Sequence, residues 1–169
     1  MKVRKLTVMG LLTAVALTIF VVENQIPSPV PLPGVKLGLS NIVTVFAVFM
    51  LGSGEAAAIL FARIFLGAIF AGNFSTVLYS GAGGLLAILT TIALKHVLKE
   101  NQLFVAGCLG AMAHSVGQMC VAIAVTGTPG LLIYLPALLV CSIITGAFTG
   151  LCAQVLVQRG KTLWKTFLQ

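Results

Sequence analysis

Arg63 is the sharpest candidate for chemistry in this chain. It stands eight residues into an apolar run that begins at Glu55, roughly 12 Å along a helix. A guanidinium at that depth in lipid costs about 2.5–3.5 kcal/mol on insertion scales, so it must face a cavity or a partner. One reading makes it the anchor for an anionic or carbonyl-bearing ligand. The plainer reading is an internal pair with a carboxylate or with helix-end carbonyls. Carboxylates are scarce: Glu23, Glu55 and Glu100 are all there are, and Glu55 is two turns away on the same run. His114 and Gln118 are four apart, so they share one helix face, with Ser115 beside them. An imidazole and an amide on one face can read a polar ligand, or can simply bond to a neighbouring helix. Asn41, Asn73 and Tyr79 fall at compatible depths near one end of their runs. With Gln118 they would line a pocket at that end. Asn73 could equally close a turn, and Tyr79 could equally belong to an interfacial aromatic belt.

Other chemistry is excluded by what is missing. The chain has no Asp and three Glu among 169 residues, too few to cluster carboxylates around magnesium. There is no G-K-[ST] motif, so the chain cannot drive a process with ATP by itself. Gly81-x-Gly83-Gly84 lies within an apolar run and reads as close helix packing. Cys108, Cys120, Cys141 and Cys152 form no C-x-x-C pair and read as small apolar packing residues. Neither a metal site, a cofactor nor a catalytic residue is expected, and the chain is not expected to be an enzyme.

These residues need elements that can hold them in lipid. From 102 to 158 there is no Asp, Glu, Lys or Arg. A soluble core almost never excludes charge for so long, whereas a membrane span needs about 20 mostly apolar residues. The chain is 59% hydrophobic and 8% charged, with mean hydropathy +1.14. The expected fold is a single all-α integral membrane domain over 1–169, with six transmembrane helices at about 6–22, 37–51, 55–71, 75–94, 103–125 and 131–157. The first run is too long, and its A-x-A (Ala14, Ala16) too central, for a cleaved signal peptide. Between the first two runs, Pro27, Pro29, Pro31 and Pro33 exclude helix. The last span is long enough to tilt or break, near Pro136.

Basic residues orient the bundle. Lys2, Arg4 and Lys5 precede the first span, Lys95 and Lys99 lie between the fourth and fifth, and Arg159, Lys161 and Lys165 follow the sixth. With six spans all lie on one side, the cytoplasm by the positive-inside rule, so both termini are expected there and the Pro-rich loop outside. The basic residues are dispersed in this way, and no nucleic-acid partner is expected. Gly10-x-x-x-Ala14 and Gly146-x-x-x-Gly150 each put two small residues on one helix face, a packing spacing.

The start of the chain, Arg4-Lys5-Leu6-Thr7-Val8-Met9-Gly10-Leu11-Leu12-Thr13-Ala14, resembles the opening helix of substrate-binding S components of energy-coupling factor (ECF) transporters. In those proteins a small-x-x-x-small motif docks on a coupling subunit, and here Gly10 replaces the usual alanine while Ala14 keeps its place. The segments Leu32-Pro33-Gly34-Val35-Lys36-Leu37-Gly38-Leu39-Ser40-Asn41 and Gly110-Ala111-Met112-Ala113-His114-Ser115-Val116-Gly117-Gln118 are similar to the Gx transporter family, often described as heptaprenyl diphosphate synthase component I. The resemblance implies an S-component-like bundle with an outward ligand pocket capped by the first loop. It implies partners: the coupling transmembrane subunit and two ABC-type ATPases. The function expected is capture of a vitamin-like or quinone/isoprenoid-related small molecule in the plasma membrane of a prokaryote. A different class stays open, a non-catalytic membrane component assisting heptaprenyl diphosphate or menaquinone synthesis. Prenyl-chain synthases hold magnesium with two aspartate-rich motifs, and a chain without Asp cannot be that catalyst.

Overall fold

Hydropathy dictates helices, and helices are what form. The computed structural model describes residues 2–26, 36, 38–73 and 75–168. It contains six α-helices: α1 (Lys2–Glu23), α2 (Asn41–Met50), α3 (Ser53–Ala71), α4 (Ser75–Lys95), α5 (Leu103–Thr126) and α6 (Leu135–Leu168). Single 3-10 stretches, Glu100–Gln102 and Pro129–Tyr134, lead into α5 and α6. The prolines at 27, 29, 31 and 33 lie outside the described residues.

Five helices are long and apolar enough to cross a membrane. The sixth, α2, is a shorter apolar helix and covers only part of the span expected over 37–51. Helix α2 has ten residues, about 15 Å of rise, half of a hydrocarbon core about 30 Å thick. The physical reason lies just before it. Gly38 adopts φ +77 and residues 38–40 are not helical, so the helix begins only at Asn41, four residues into the expected span. The last element differs too. The break falls at the change from 3-10 to α-helix between Tyr134 and Leu135, and α6 then continues for 34 residues, about 51 Å.

Helix α2 is flanked by α3, α4, α5 and α6, and α1 packs chiefly on α3. Val43, Ala47 and Val48 of α2 meet Ala16, Ala56, Ile59, Leu60, Ile64 and Ile88 in one apolar cluster. Val45 meets Leu103, Ala153 and Val157 in another. Large side chains such as Phe61, Phe65, Ile144 and Phe148 point outward, as a lipid-facing surface requires.

One end of the bundle is basic. Lys5 forms an ion pair with Glu55, Lys95 Nζ donates to the Val48 carbonyl at 2.7 Å, and Gly160 lies beside Met50. The start of α1, the end of α2, the start of α3, the end of α4 and the late turns of α6 therefore share this end.

The tightest contact joins α5 and α6. A Cβ on Gly107 would sit 2.3 Å from the Gly146 carbonyl oxygen and 2.5 Å from Gly150 Cα. The spacing Gly146-x-x-x-Gly150 thus does pack, against Gly107 and Phe104. Gly107→Val is expected to lower stability by about 1–3 kcal/mol, the range for overpacking a filled interior. At Gly10 a Cβ would meet nothing within 4 Å, so Gly10→Ala is expected to stay within about 0.5 kcal/mol. Thermal unfolding of both variants in one detergent, followed by tryptophan-independent scattering and size exclusion, checks the contrast.

Candidate functional site

The non-helical residues Lys36 and Gly38 to Ser40 are the organising piece of the interior. Non-helical backbone is tolerated at membrane depth only where protein supplies its hydrogen bonds, and here α1 and α5 do so while α3 holds the Ser40 side chain. From the end of α1, Glu23 accepts a hydrogen bond from the Gly38 N–H, and the amides of Leu39 and Ser40 turn toward the same carboxylate. From α5, Gln118 Oε1 accepts from the Lys36 N–H at 3.2 Å. From α3, Arg63 Nη1 donates to Ser40 Oγ at 2.6 Å. Helix α2 begins one residue later with Asn41, so Glu23 also places a negative charge where the helix dipole is positive.

Around this stretch the polar side chains are closed off from solvent. Arg63 is 3% exposed, Glu23 3%, Asn41 4%, His114 4% and Gln118 0%. The His114 imidazole lies in a slot between two glycines: a Cβ on Gly38 would come within 3.3 Å of its Cδ2, and one on Gly83 within 2.9 Å of its Cε1 and Nδ1. The same Cβ on Gly38 would touch Asn41 Nδ2 at 2.9 Å. Gly38 thus needs its glycine twice, for φ and for space. Both cations lie over the Phe20 ring, with the Arg63 guanidinium 5.8 Å from its centroid and Lys36 Nζ 4.0 Å.

The polar atoms of this cluster are not used up. Eight buried side-chain nitrogens and oxygens have no hydrogen-bond partner among the described residues. Seven belong here: Glu23 Oε2, Asn41 Nδ2 and Oδ1, Arg63 Nε and Nη2, His114 Nδ1 and Gln118 Nε2. The eighth, Gln154 Oε1, stands alone on α6. Each such atom costs about 1–3 kcal/mol when left unpaired, and seven of the eight sit on five neighbouring residues.

Next to the cluster lies a cavity of about 720 Å³ at the end of the bundle opposite Lys5 and Lys95. Sites for small molecules commonly measure about 300–1,000 Å³. Apolar walls come from Val21, Phe70 and Val125, polar ones from Asn24, Asn73, Thr76 and Tyr79, and Lys36 forms part of its lining. Burial pulls the Lys36 ammonium below its ordinary pKa, Arg63 pulls it the same way, and Glu23 opposes both. Lys36 is thereby the residue shared by cavity and cluster.

The structure therefore divides the residues singled out in the sequence. Arg63, His114, Gln118 and Asn41 meet in the closed cluster, while Asn73 and Tyr79 line the open cavity. Asn73 also closes a turn, since its Oδ1 accepts from the Ser75 N–H at 2.9 Å and from Ser75 Oγ at 2.6 Å. Gly10 and Ala14 are exposed and lie elsewhere, in an apolar groove of about 540 Å³ between α1 and α3 that Leu6, Leu17, Ala58 and Leu66 also line. Glu55 pairs with Lys5, not Arg63. Sequence reasoning missed Lys36 and Ser40 as parts of the site, and named Glu23 only as one of three carboxylates that Arg63 could pair with. The signal for Glu23 was present, because one of three acids in the chain stands at the end of an apolar run facing the loop that carries Lys36.

The family described as heptaprenyl diphosphate synthase component I matches residues 12–156. No curated protein and no solved structure matches the chain.

If Glu23 holds the bent stretch, its removal is costly and that of the Lys5–Glu55 pair is not. Glu23→Ala is expected to destabilise by at least about 2 kcal/mol, through an unpaired Gly38 N–H and an uncompensated Arg63. Glu55→Ala, which breaks a half-exposed pair, should cost less than about 1 kcal/mol. Denaturation midpoints of the two variants in the same micelle provide the comparison.

Proposed function

This chain belongs to the heptaprenyl diphosphate synthase component I family, and from that premise we propose that it is the substrate-binding membrane subunit of an ECF-type importer, taking up a vitamin-like or quinone/isoprenoid-related small molecule. The observation that carries this reading is the set of seven unpaired polar atoms gathered on Glu23, Asn41, Arg63, His114 and Gln118 beside a cavity of about 720 Å³. A subunit that only packs helices has no use for such a set. A subunit that captures a polar molecule from water does, because the ligand supplies the missing bonds.

Orientation agrees with import. Lys5 and Lys95 mark the end opposite the cavity, and the positive-inside rule puts that end in the cytoplasm. The cavity then opens outward from the plasma membrane of a prokaryote, with both termini inside. The bent stretch and α2 together take the place of a second span, which completes a six-crossing topology. Energy comes from partners, a coupling transmembrane subunit and ABC-type ATPases. Gly10 and Ala14 on the exposed α1–α3 groove are the docking residues, since small side chains let another helix approach closely.

The family description favours a second reading, a non-catalytic membrane component that assists heptaprenyl diphosphate or menaquinone synthesis. The two separate cleanly. A deletion strain in which lipid quinones keep their side-chain length removes the second reading.

Ala14→Trp fills the α1–α3 groove far from the buried cluster. Expected outcomes are loss of the coupling subunit and ATPases from the affinity-purified protein, and loss of uptake, with the extracted subunit still folded. A complex that survives Ala14→Trp overturns the docking assignment.

A further inference from the structure

We propose that the buried cluster takes an organic monocarboxylate, seated on the free edge of Arg63, with its apolar body in the adjoining cavity. This rests on the capture reading above and adds the chemical class of what is captured.

The argument starts with which atoms of Arg63 are occupied. Nη1 is committed to Ser40 Oγ, while Nε and Nη2 have no partner among the described residues. Those two nitrogens form one edge of the guanidinium, two parallel N–H groups whose spacing matches the two oxygens of a carboxylate. Ser40 therefore fixes the rotation of the guanidinium and leaves its bidentate edge free. The residue is 3% exposed, so the edge is shielded from water and a carboxylate there gains a charge-assisted pair in low dielectric.

The neighbouring groups narrow the head group further. Gln118 Nε2 and Asn41 Nδ2 are additional free donors, suited to oxygen lone pairs. Asn41 Oδ1 is an acceptor without a partner among the described residues and suits a ligand that also carries a donor, a hydroxyl or an N–H, near the acid. Charge counting excludes more heavily charged ligands. Arg63 and Lys36 supply two positive charges and Glu23 one negative, leaving a surplus of one. A monocarboxylate neutralises that surplus. A diphosphate, with two or three negative charges, leaves uncompensated charge in a buried site, at prohibitive cost. The cavity walls of Val21, Phe70 and Val125 suit an apolar body.

Two measurements on the whole protein in detergent test this. The first is native mass spectrometry of gently extracted wild type and Arg63→Gln, with fragmentation of any small molecule released. A molecule that loses carbon dioxide, present in wild type and absent from Arg63→Gln, is expected. A retained molecule with no acid group overturns the carboxylate assignment while leaving capture intact. The second is titration with phenylacetate, its neutral amide phenylacetamide and inorganic pyrophosphate, read as thermal stabilisation. Phenylacetate should stabilise wild type, with the amide and pyrophosphate at least about tenfold weaker, as expected from loss of a charged hydrogen bond. Arg63→Gln should lose phenylacetate binding by about tenfold or more. Glu23→Gln keeps an acceptor for the Gly38 N–H and removes the opposing charge, so it should bind phenylacetate about threefold more tightly. If Arg63→Gln does not fold, the sign at Glu23→Gln still decides. Weaker binding in Glu23→Gln, or stabilisation by pyrophosphate equal to that by phenylacetate, overturns the proposal.

Discussion

The backbone amides at the start of α2 govern the rest of this structure. In the interior of a membrane protein an N–H without a partner is expensive, and a helix that begins half-way through has its first four N–H groups to satisfy. Carbonyls of the bend meet most of that demand, since Gly38, Leu39 and Ser40 accept from the N–H groups of Asn41, Ile42 and Val43, and the Gly38 N–H is held in turn by a carboxylate, Glu23, brought in from the end of α1. A carboxylate in that setting needs a cation, and Arg63 stands across from it, coupled to it electrostatically. Arg63 in turn needs acceptors, and Ser40 satisfies one of its nitrogens. Each step satisfies one group and introduces another. The chain of requirements stops with Arg63 Nε and Nη2, Asn41, His114 Nδ1 and Gln118 Nε2 still open. The functional reading follows from where that sequence of compensations ends.

The far end of α2 obeys the same logic with the opposite sign. Lys95, at the last turn of α4, donates to the Val48 carbonyl. A ten-residue helix thus has an acid at its N-terminal end and a base at its C-terminal end, the arrangement that its dipole favours. Close glycine contacts on the other side of the bundle make room for this. Gly83 and Gly117 bring α4 and α5 together, which places His114 and Gln118 against residues 36–41, and the Gly107–Gly146–Gly150 contact holds α6 on the back of α5. Bulk is removed where the helices must approach, and the freed interior is occupied by amide and imidazole groups.

Much of the fold was legible because lipid permits few solutions. Long apolar runs ended at glycines, and α1, α3, α4 and α5 fell within a few residues of the stretches expected at 6–22, 55–71, 75–94 and 103–125. The second span was not legible, because hydropathy scores composition and not backbone geometry. Residues 37–51 are mostly apolar, and their mean hydropathy does not distinguish a helix from a buried turn. Gly38 was the available clue, a glycine two residues ahead of the polar pair Ser40-Asn41. The site was legible in part. A charged or amide side chain in an apolar run has to be explained, which led to Arg63, His114, Gln118 and Asn41. Glu23 escaped because it ends its run, where an acid reads as a solvated boundary residue. Only the return of the chain over it, at Gly38, buries it.

Helix α1 connects the two features of the importer reading. It carries Gly10 and Ala14 on the lipid-facing groove, and Phe20 and Glu23 against the buried cluster. From Ala14 to Phe20 is six residues, about 9 Å of rise, so groove and cluster are separated by less than two turns of one rigid element. Its main neighbour is α3, the helix that bears Arg63. A partner seated in the groove would touch the two helices that supply Glu23 and Arg63, the opposite charges on either side of the free guanidinium edge. Any change in the crossing of α1 and α3 alters the separation of those charges directly, with no intervening element required.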